Sequence, residues 1–209
     1  MFSKKICVIG LGYIGLPTAA LLAHRGYDVH GVDVEQSTVN IINRGEIHIV
    51  EPELDTFVKG AVSSGKLKAS LNPCEADVFI IAVPTPFHEG FVPNIDYVLS
   101  ATKAIAPFVK ENNVVILEST SPVGTTDKIE EALVAEGIDT SKLFIAHCPE
   151  RVLPGQIMRE LIENDRIVGG TTPKATDQAV EFYKTFVSGE VLSTDPRTAE
   201  MAKLTENSF

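Results

Sequence analysis

The sequence predicts an α/β fold, a doubly wound parallel sheet, and a few observations carry that prediction. Short, β-branched and almost wholly apolar runs recur along the chain, as in KICVIG, DVFIIAVP and NVVILEST. Stretches with helical spacing separate them, among them IGLPTAALLAH and TTDKIEEALVA. The first apolar run opens onto a glycine loop, GLGYIG, that leads straight into the first helix. Continuous apolar strands are expected where helical crossovers cover both faces of a parallel sheet. Short loops between strand and helix fit a doubly wound layer arrangement.

The elements follow in order. KICVIG is the first buried strand, and the helix IGLPTAALLAHRG closes at Gly26. DVHGVD is the second strand, and EQSTVNIINRG is a helix again stopped by glycine. ELDTFVKGAVSSG reads as a helix, KLKASL as a short strand, and DVFIIAVP as a buried strand ending at Pro84. IDYVLSATKAIAPFVK is helical, NVVILEST a strand, TTDKIEEALVAEG a helix and LFIAHCPE the sixth strand. A helix near Met158, the strand RIVGG, a helix around KATDQAVEFYKTF and the strand EVLST complete the alternation. In the last stretch, RTAEMAKLTENSF, Thr198, Met201, Ala202, Thr205 and Phe209 recur at three- and four-residue intervals, so a final helix is expected after Pro196. The boundary is placed there: residues 1–195 form one domain and 196–209 begin a connecting helix.

Composition narrows the function. The 209 residues are 44% hydrophobic and 22% charged, an ordinary globular balance. The net charge of −10 argues against a nucleic-acid partner and against an anionic membrane surface. Small phosphates are still accessible to such a chain, because helix N-termini bind them through local backbone dipoles. No run of about 18 apolar residues is present to span a bilayer, and the apolar run before the glycine loop is too short for a signal peptide. Cys7, Cys74 and Cys148 are odd in number and far apart, which suggests neither a disulfide framework nor a zinc site and points to a reducing cytoplasm. The five histidines show no metal-ligand spacing, and no metal is expected.

The glycine loop is the strongest local signal. Gly10 permits a tight turn, Gly12 lets backbone approach a pyrophosphate, and Gly15 lets helix and strand pack closely. A lone loop of this kind is weak evidence, but here it lies between a strand and a helix, with Asp33 at the end of the next strand. A carboxylate there accepts the ribose hydroxyls and repels a 2′-phosphate, and no Arg or Lys follows in DVEQS. The expected cofactor is NAD rather than NADP. The bland alternative is a tight turn beside a surface aspartate.

Three further loops end strands and so face the edge where ligands bind in open α/β sheets. AVPTPF holds Thr85 between prolines, and ESTSPVGTT carries Thr120 and Thr126 at a helix start. Capping alone explains any one of these threonines. CPERVLPG sets Glu150 after the sixth strand, where a carboxylate has the chemistry of a general base, although an isolated one is more often solvated or capping. Cys148 is read as a packing residue. On the last helix Lys203 and Asn207 lie four apart on one face, either a solvated stripe or half of an active site.

The ordered set GLGYIGLP, VDV, INRGEIHIVEPEL, AVPTPF, ESTSPVGTT, CPERVLPG, NDRIVGG and AEMAKLTENSF resembles the UDP-glucose/GDP-mannose dehydrogenase family along the whole chain. The resemblance implies a Rossmann-type NAD-binding domain followed by the start of a long connector helix. It implies NAD-dependent oxidation of the C6 alcohol of a UDP-sugar to the carboxylate, with UDP-N-acetylmannosamine the expected substrate. Pro154 stands where UDP-glucose members carry a second acid, which lowers the UDP-glucose alternative. By resemblance, Tyr13, Ile14, Asp33, Thr85 and Thr126 contact NAD, and Arg151 and Val152 contact the sugar nucleotide. Lys203 supplies positive charge, Asn207 orients, and Glu150 handles protons. The family's catalytic cysteine lies in a GGHC-like motif that this sequence lacks. The resemblance therefore implies an N-terminal part of a longer homodimeric enzyme, inactive by itself.

Two rival readings stay open at this point. β-Hydroxyacid dehydrogenases also place a Lys and an Asn four apart after a dinucleotide domain, but remove only one pair of electrons. A non-catalytic NAD-binding module would keep the cofactor site and ignore sugar nucleotides.

Overall fold

The computed structural model describes residues 5–208; Phe209, counted above in the last helix, lies outside the described residues. Eight strands form one sheet in the order β3-β2-β1-β4-β5-β6-β7-β8. They are β1 (Lys5–Ile9), β2 (Asp28–Val32), β3 (Leu67–Ser70), β4 (Val78–Ile81), β5 (Val114–Leu117), β6 (Phe144–His147), β7 (Arg166–Gly170) and β8 (Val191–Thr194). The helices are α1 (Gly15–His24), α2 (Gln36–Asn43), α3 (Leu54–Ser63), α4 (Asp96–Ile105), α5 (Thr125–Ala135), α6 (Ile157–Glu163), α7 (Pro173–Tyr183) and α8 (Pro196–Glu206). No helix among the described residues is long and apolar enough to cross a membrane.

Alternating residues of the central strands feed two cores, one on each face. Ile6, Val8, Ile80 and Ile116 pack with α1, α3 and α7 residues such as Leu16, Val58 and Phe182. Cys7, Ile9, Phe79 and Leu117 pack with α4 and α5 residues such as Val98, Ile129 and Leu133. The continuous apolar strands thus arise as expected, because both faces are covered. Strand order reverses between β1 and β4, and there the glycine loop leaves the sheet.

The doubly wound, parallel arrangement holds with one exception that the sequence did not show. β6 and β7 are antiparallel, with Ala146 opposite Gly170 and His147 opposite Gly169, while β7 and β8 are parallel to each other. The link from β6 holds only the seven-residue α6, which rises about 10 Å. The chain re-enters the sheet from the carboxyl edge instead of returning to the amino edge. As a result Arg166, the first residue of β7, projects past the end of β6.

Candidate active site

The glycine loop has the shape its sequence requires. Gly10 has φ +92°, and a Cβ there would come within 2.6 Å of the Ala82 carbonyl oxygen. A Cβ on Gly15 would sit 1.8 Å from the Gly10 carbonyl, so no side chain fits where the turn meets α1. Gly12 faces open space on the exposed side of the loop. The start of α1 has no side-chain cap and no acidic residue in its first turn. An uncapped helix N-terminus behind an open glycine fits a pyrophosphate.

Asp33 lies at the end of β2 and reaches back to this loop. Its Oδ2 accepts the amide of Leu11 at 3.0 Å, and its Oδ1 accepts the amide of Glu35 at 3.0 Å. The carboxylate is half-exposed, and each oxygen keeps a lone pair for a ribose hydroxyl. Tyr13 is 51% exposed at the tip of the loop, and Ile14 is the half-buried N-cap of α1. These residues fit the adenosine and pyrophosphate of NAD.

The loops after β4 and β5 are tied together at the same edge. The Thr85 hydroxyl donates to the Thr120 carbonyl, and the Ser119 hydroxyl donates to the Val83 carbonyl at 2.6 Å. Thr85 and Thr120 are half-buried and flank the strand ends. Thr126 is placed differently from its expected role. It is fully buried at the start of α5, and both its amide (2.8 Å) and its hydroxyl (2.7 Å) donate to Oε1 of Glu200. Its polar groups face α8, not the open side of the edge.

Helix α8 starts at the expected Pro196, capped by Asp195 through the Thr198 amide at 3.0 Å. It crosses the carboxyl edge and is pinned along its length. Arg197 pairs with Asp127 at 2.8 Å, Glu200 with the start of α5, and Glu206 with Arg151 at 2.8 Å. Lys203 has a side chain only 12% exposed, and its Nζ lies 3.2 Å from the second oxygen of Glu206. Asn207 is exposed at the end of the helix, its amide donating to the Lys203 carbonyl at 3.1 Å. One acidic residue therefore draws Lys203 on α8 and Arg151 of the β6–α6 loop together, while Val152 packs half-buried against the larger core.

Glu150 is not the solvated mouth residue that its position suggested. It is 5% exposed and ion-paired through Oε1 to Nη1 of Arg166, which is itself 1% exposed. Arg166 also donates from Nη2 to the Leu161 carbonyl at 2.9 Å and lies 5.5 Å from the Tyr183 ring centroid. Glu150 Oε2 and Arg166 Nε have no hydrogen-bond partner. Beside this pair lies Glu118, which accepts from the Tyr183 hydroxyl at 2.7 Å and from the Thr18 hydroxyl at 3.5 Å. Burial pushes the Glu118 carboxyl up to about 8, and the negative charge of Glu150 adds to the rise while Arg166 opposes it. Two carboxyls facing one guanidinium in a dry site favour holding a proton on one of them. Sequence reasoning passed over Glu118, Arg166 and Glu200. The available signal was a charge at the end of an apolar strand, as at Glu118 and Arg166; Glu200, within the polar helix α8, gave none.

The cysteines offer no nucleophile. Cys7 is buried within β1 and its thiol is pushed up to about 12 by desolvation. Cys148 is fully buried beside the Glu118 cluster, and its thiol is raised further by burial. Cys74 precedes β4 and so lies at the amino edge, opposite the site.

Residues 4–187 match the model of the UDP-glucose/GDP-mannose dehydrogenase family, NAD binding domain. The chain is 58% identical over 216 residues to a UDP-N-acetyl-D-mannosamine dehydrogenase of Campylobacter jejuni, covering 99% of this chain and 53% of that protein. It is 53% identical to an NDP-N-acetyl-D-galactosaminuronic acid dehydrogenase of Ralstonia nicotianae, covering 99% of this chain and 51% of the other. Among solved structures it superposes on the UDP-N-acetyl-mannosamine dehydrogenase Cap5O from Staphylococcus aureus with a TM-score of 0.93 and 45% identity, over 98% of this chain and 50% of that one. The chain thus spans about half the length of the relatives it matches. With the glycine loop, Asp33 and the doubly wound sheet in their required places, the chain belongs to the UDP-glucose/GDP-mannose dehydrogenase family and carries its NAD binding domain.

Proposed function

We propose that this chain provides the cofactor side of an enzyme that oxidises the C6 alcohol of a UDP-sugar to a carboxylate, with UDP-N-acetylmannosamine as substrate. The observation that carries the reading is the convergence of Lys203 and Arg151 on Glu206 at the carboxyl edge, the same edge that holds the glycine loop and Asp33. A weakly exposed ammonium and a guanidinium brought to one carboxylate suit an anionic substrate and an oxyanion at its reacting carbon. Bound NAD supplies the hydride acceptor for each oxidation. Lys203 stabilises negative charge on the C6 oxygen as the hydroxyl proton departs, Asn207 orients that oxygen, and Arg151 and Val152 hold the sugar nucleotide. Glu150 handles protons through its unpartnered Oε2, with the proton on Glu118 keeping the buried pair from carrying two charges beside one arginine. Residues 1–195 form the cofactor domain and the helix from 196 the connector. The working enzyme is a homodimer of the reducing cytoplasm, a reading supported by the free cysteines and by the exposed Met201 on α8.

The test is cofactor stoichiometry in the enzyme that contains this chain. Two NADH formed per UDP-N-acetylmannosamine consumed supports the reading, and one per substrate favours a hydroxyacid-type dehydrogenase. A higher kcat/KM on UDP-glucose overturns the assigned sugar. The Ralstonia relative favours a second reading, an N-acetylgalactosamine-type sugar, which the same comparison of kcat/KM decides.

A further inference from the structure

Away from the dinucleotide loop, a single buried carboxylate joins two segments that are distant in sequence. Glu51 lies between α2 and α3 and is 4% exposed. Its Oε2 accepts the amide of Gly155 and its Oε1 accepts the amide of Ile157, both at 2.8 Å. The backbone around Glu51 is bent to deliver it. Val50 beside it is 89% exposed, and Glu53 takes a left-handed conformation at φ +66° that a non-glycine residue adopts only under constraint.

The loop that receives Glu51 runs from Cys148 to Gln156 and has no regular secondary structure. Side chains do the holding. The Asn164 amide donates to the Arg151 carbonyl at 2.5 Å, Glu160 accepts from the Leu153 amide at 2.7 Å, and Glu51 closes the far end. Within the loop Arg151 turns outward to Glu206 on α8, and the second oxygen of Glu206 lies against Lys203. A continuous set of contacts therefore runs from the α2–α3 segment, through the loop, to the helix over the carboxyl edge. The two hydrogen bonds of the Glu51 carboxylate end on the backbone amides of Gly155, in the β6–α6 link, and of Ile157, the first residue of α6, and not on the glycine loop.

We propose that Glu51 is a positioning residue for the sugar nucleotide: by clamping Gly155 and Ile157 it sets where Arg151 and Val152 meet the substrate. This rests on the UDP-sugar reading above. Arg151 reaches Glu206 from the same loop that Glu51 holds at Gly155, so the clamp acts on the direction of the guanidinium through the backbone. The segment preceding α3 then contributes to the choice of sugar from a distance.

In the enzyme that contains this chain, the experiment compares wild type with Glu51→Gln and Glu51→Ala by calorimetric titration with UDP-N-acetylmannosamine and with NAD, and by hydrogen exchange at residues 155 and 157. Glu51→Gln keeps the shape and one acceptor, so it guards against simple unfolding. The clamp predicts faster exchange at Gly155 and Ile157 and a sugar-nucleotide Kd raised roughly tenfold in the Gln variant and more in the Ala variant. NAD affinity should stay within about twofold, since the sites share no partner. Equal loss of both ligands would show a general structural role and overturn the proposal. So would unchanged sugar-nucleotide affinity, or unchanged exchange at the two amides. A wild-type enzyme containing this chain that binds NAD but no UDP-sugar refutes the substrate reading instead, and that result is read before any variant is made.

Discussion

Glu200 lies one turn before Lys203 on α8 and plants its carboxylate on the start of α5, where Oε1 takes both the amide and the hydroxyl of Thr126. The other oxygen accepts the Gly124 amide at 2.5 Å, and Glu200 is fully buried. A carboxylate at a helix N-terminus is favoured by the local dipole and needs no cation. The same contact fixes the rotation of α8 and hence the direction of Lys203.

Removing this anchor should cost stability before it costs cofactor binding. Glu200→Ala strands two amides and a hydroxyl and is expected to destabilise by about 3 kcal/mol. Thr126→Val removes only the hydroxyl and should cost about 1 kcal/mol. Urea melts measure both, and NAD titration on the same proteins should show little change. A large loss of NAD affinity in Thr126→Val without loss of stability would restore Thr126 as a direct cofactor contact.

Two glycines of one loop should respond in opposite ways to the same methyl group. Gly15→Ala drives a Cβ into the Gly10 carbonyl, so the junction of loop and α1 must shift and both thermal stability and NAD binding should fall. Gly12→Ala meets nothing within 4 Å in the free protein. It should melt like wild type yet bind NAD at least roughly tenfold more weakly, because the methyl group takes the space of the pyrophosphate. Normal NAD affinity in Gly12→Ala would place the cofactor phosphates elsewhere.

Asp33 has a structural and a binding duty, and the two can be separated. Asp33→Asn keeps an oxygen for the Leu11 amide but loses the negative charge, so the loop should persist while discrimination against NADP weakens. Asp33→Ala should lose NAD affinity by roughly one to two orders of magnitude, the worth of a charge-assisted hydrogen bond. Paired titrations with NAD and NADP report it. NADP binding as tight as NAD in the wild type would refute the role given to this carboxylate.

Glu118 should leave a signature in stability against pH. Thr18 from α1, Tyr183 from α7, Arg166 from β7, and Cys148 and Glu150 after β6 surround it. Its ordinary value is 4.5 and the folded value about 8. Between them the folded chain holds a proton that the unfolded chain has released, so this group makes stability fall as pH rises through that window. Glu118→Gln cannot ionise and keeps an acceptor for Tyr183. It should remove the decline and exceed wild type above about pH 8, by a margin on the order of a few kcal/mol. His147 works in the opposite direction at lower pH: burial lowers it to about 3, so stability is lost as pH falls below 6.5. Urea melts across the range give both slopes, and parallel curves for wild type and Glu118→Gln would mean that Glu118 is ionised in the fold.

Much of this molecule was legible before any coordinate. All eight strands and eight helices appear where apolar runs and helical spacing put them, because those periodicities report which face of a local element is buried. The glycine loop and Asp33 were equally readable, since a positive φ, a close backbone approach and a strand-end carboxylate are demands on single positions in a known local frame. Tertiary structure decided the rest. The direction of β7 belongs to the assembled sheet and to no pattern within the strand itself. Glu150 became an ion-pair partner when Arg166 arrived from 16 residues away, and Thr126 turned inward because Glu200 came from 74 residues away. Glu51 and Ile157, 106 residues apart, are ordinary positions until the fold brings them within 2.8 Å. Periodicity tells which side of an element is buried, whereas a polar side chain answers to whatever donor or acceptor the completed fold brings into the same small volume.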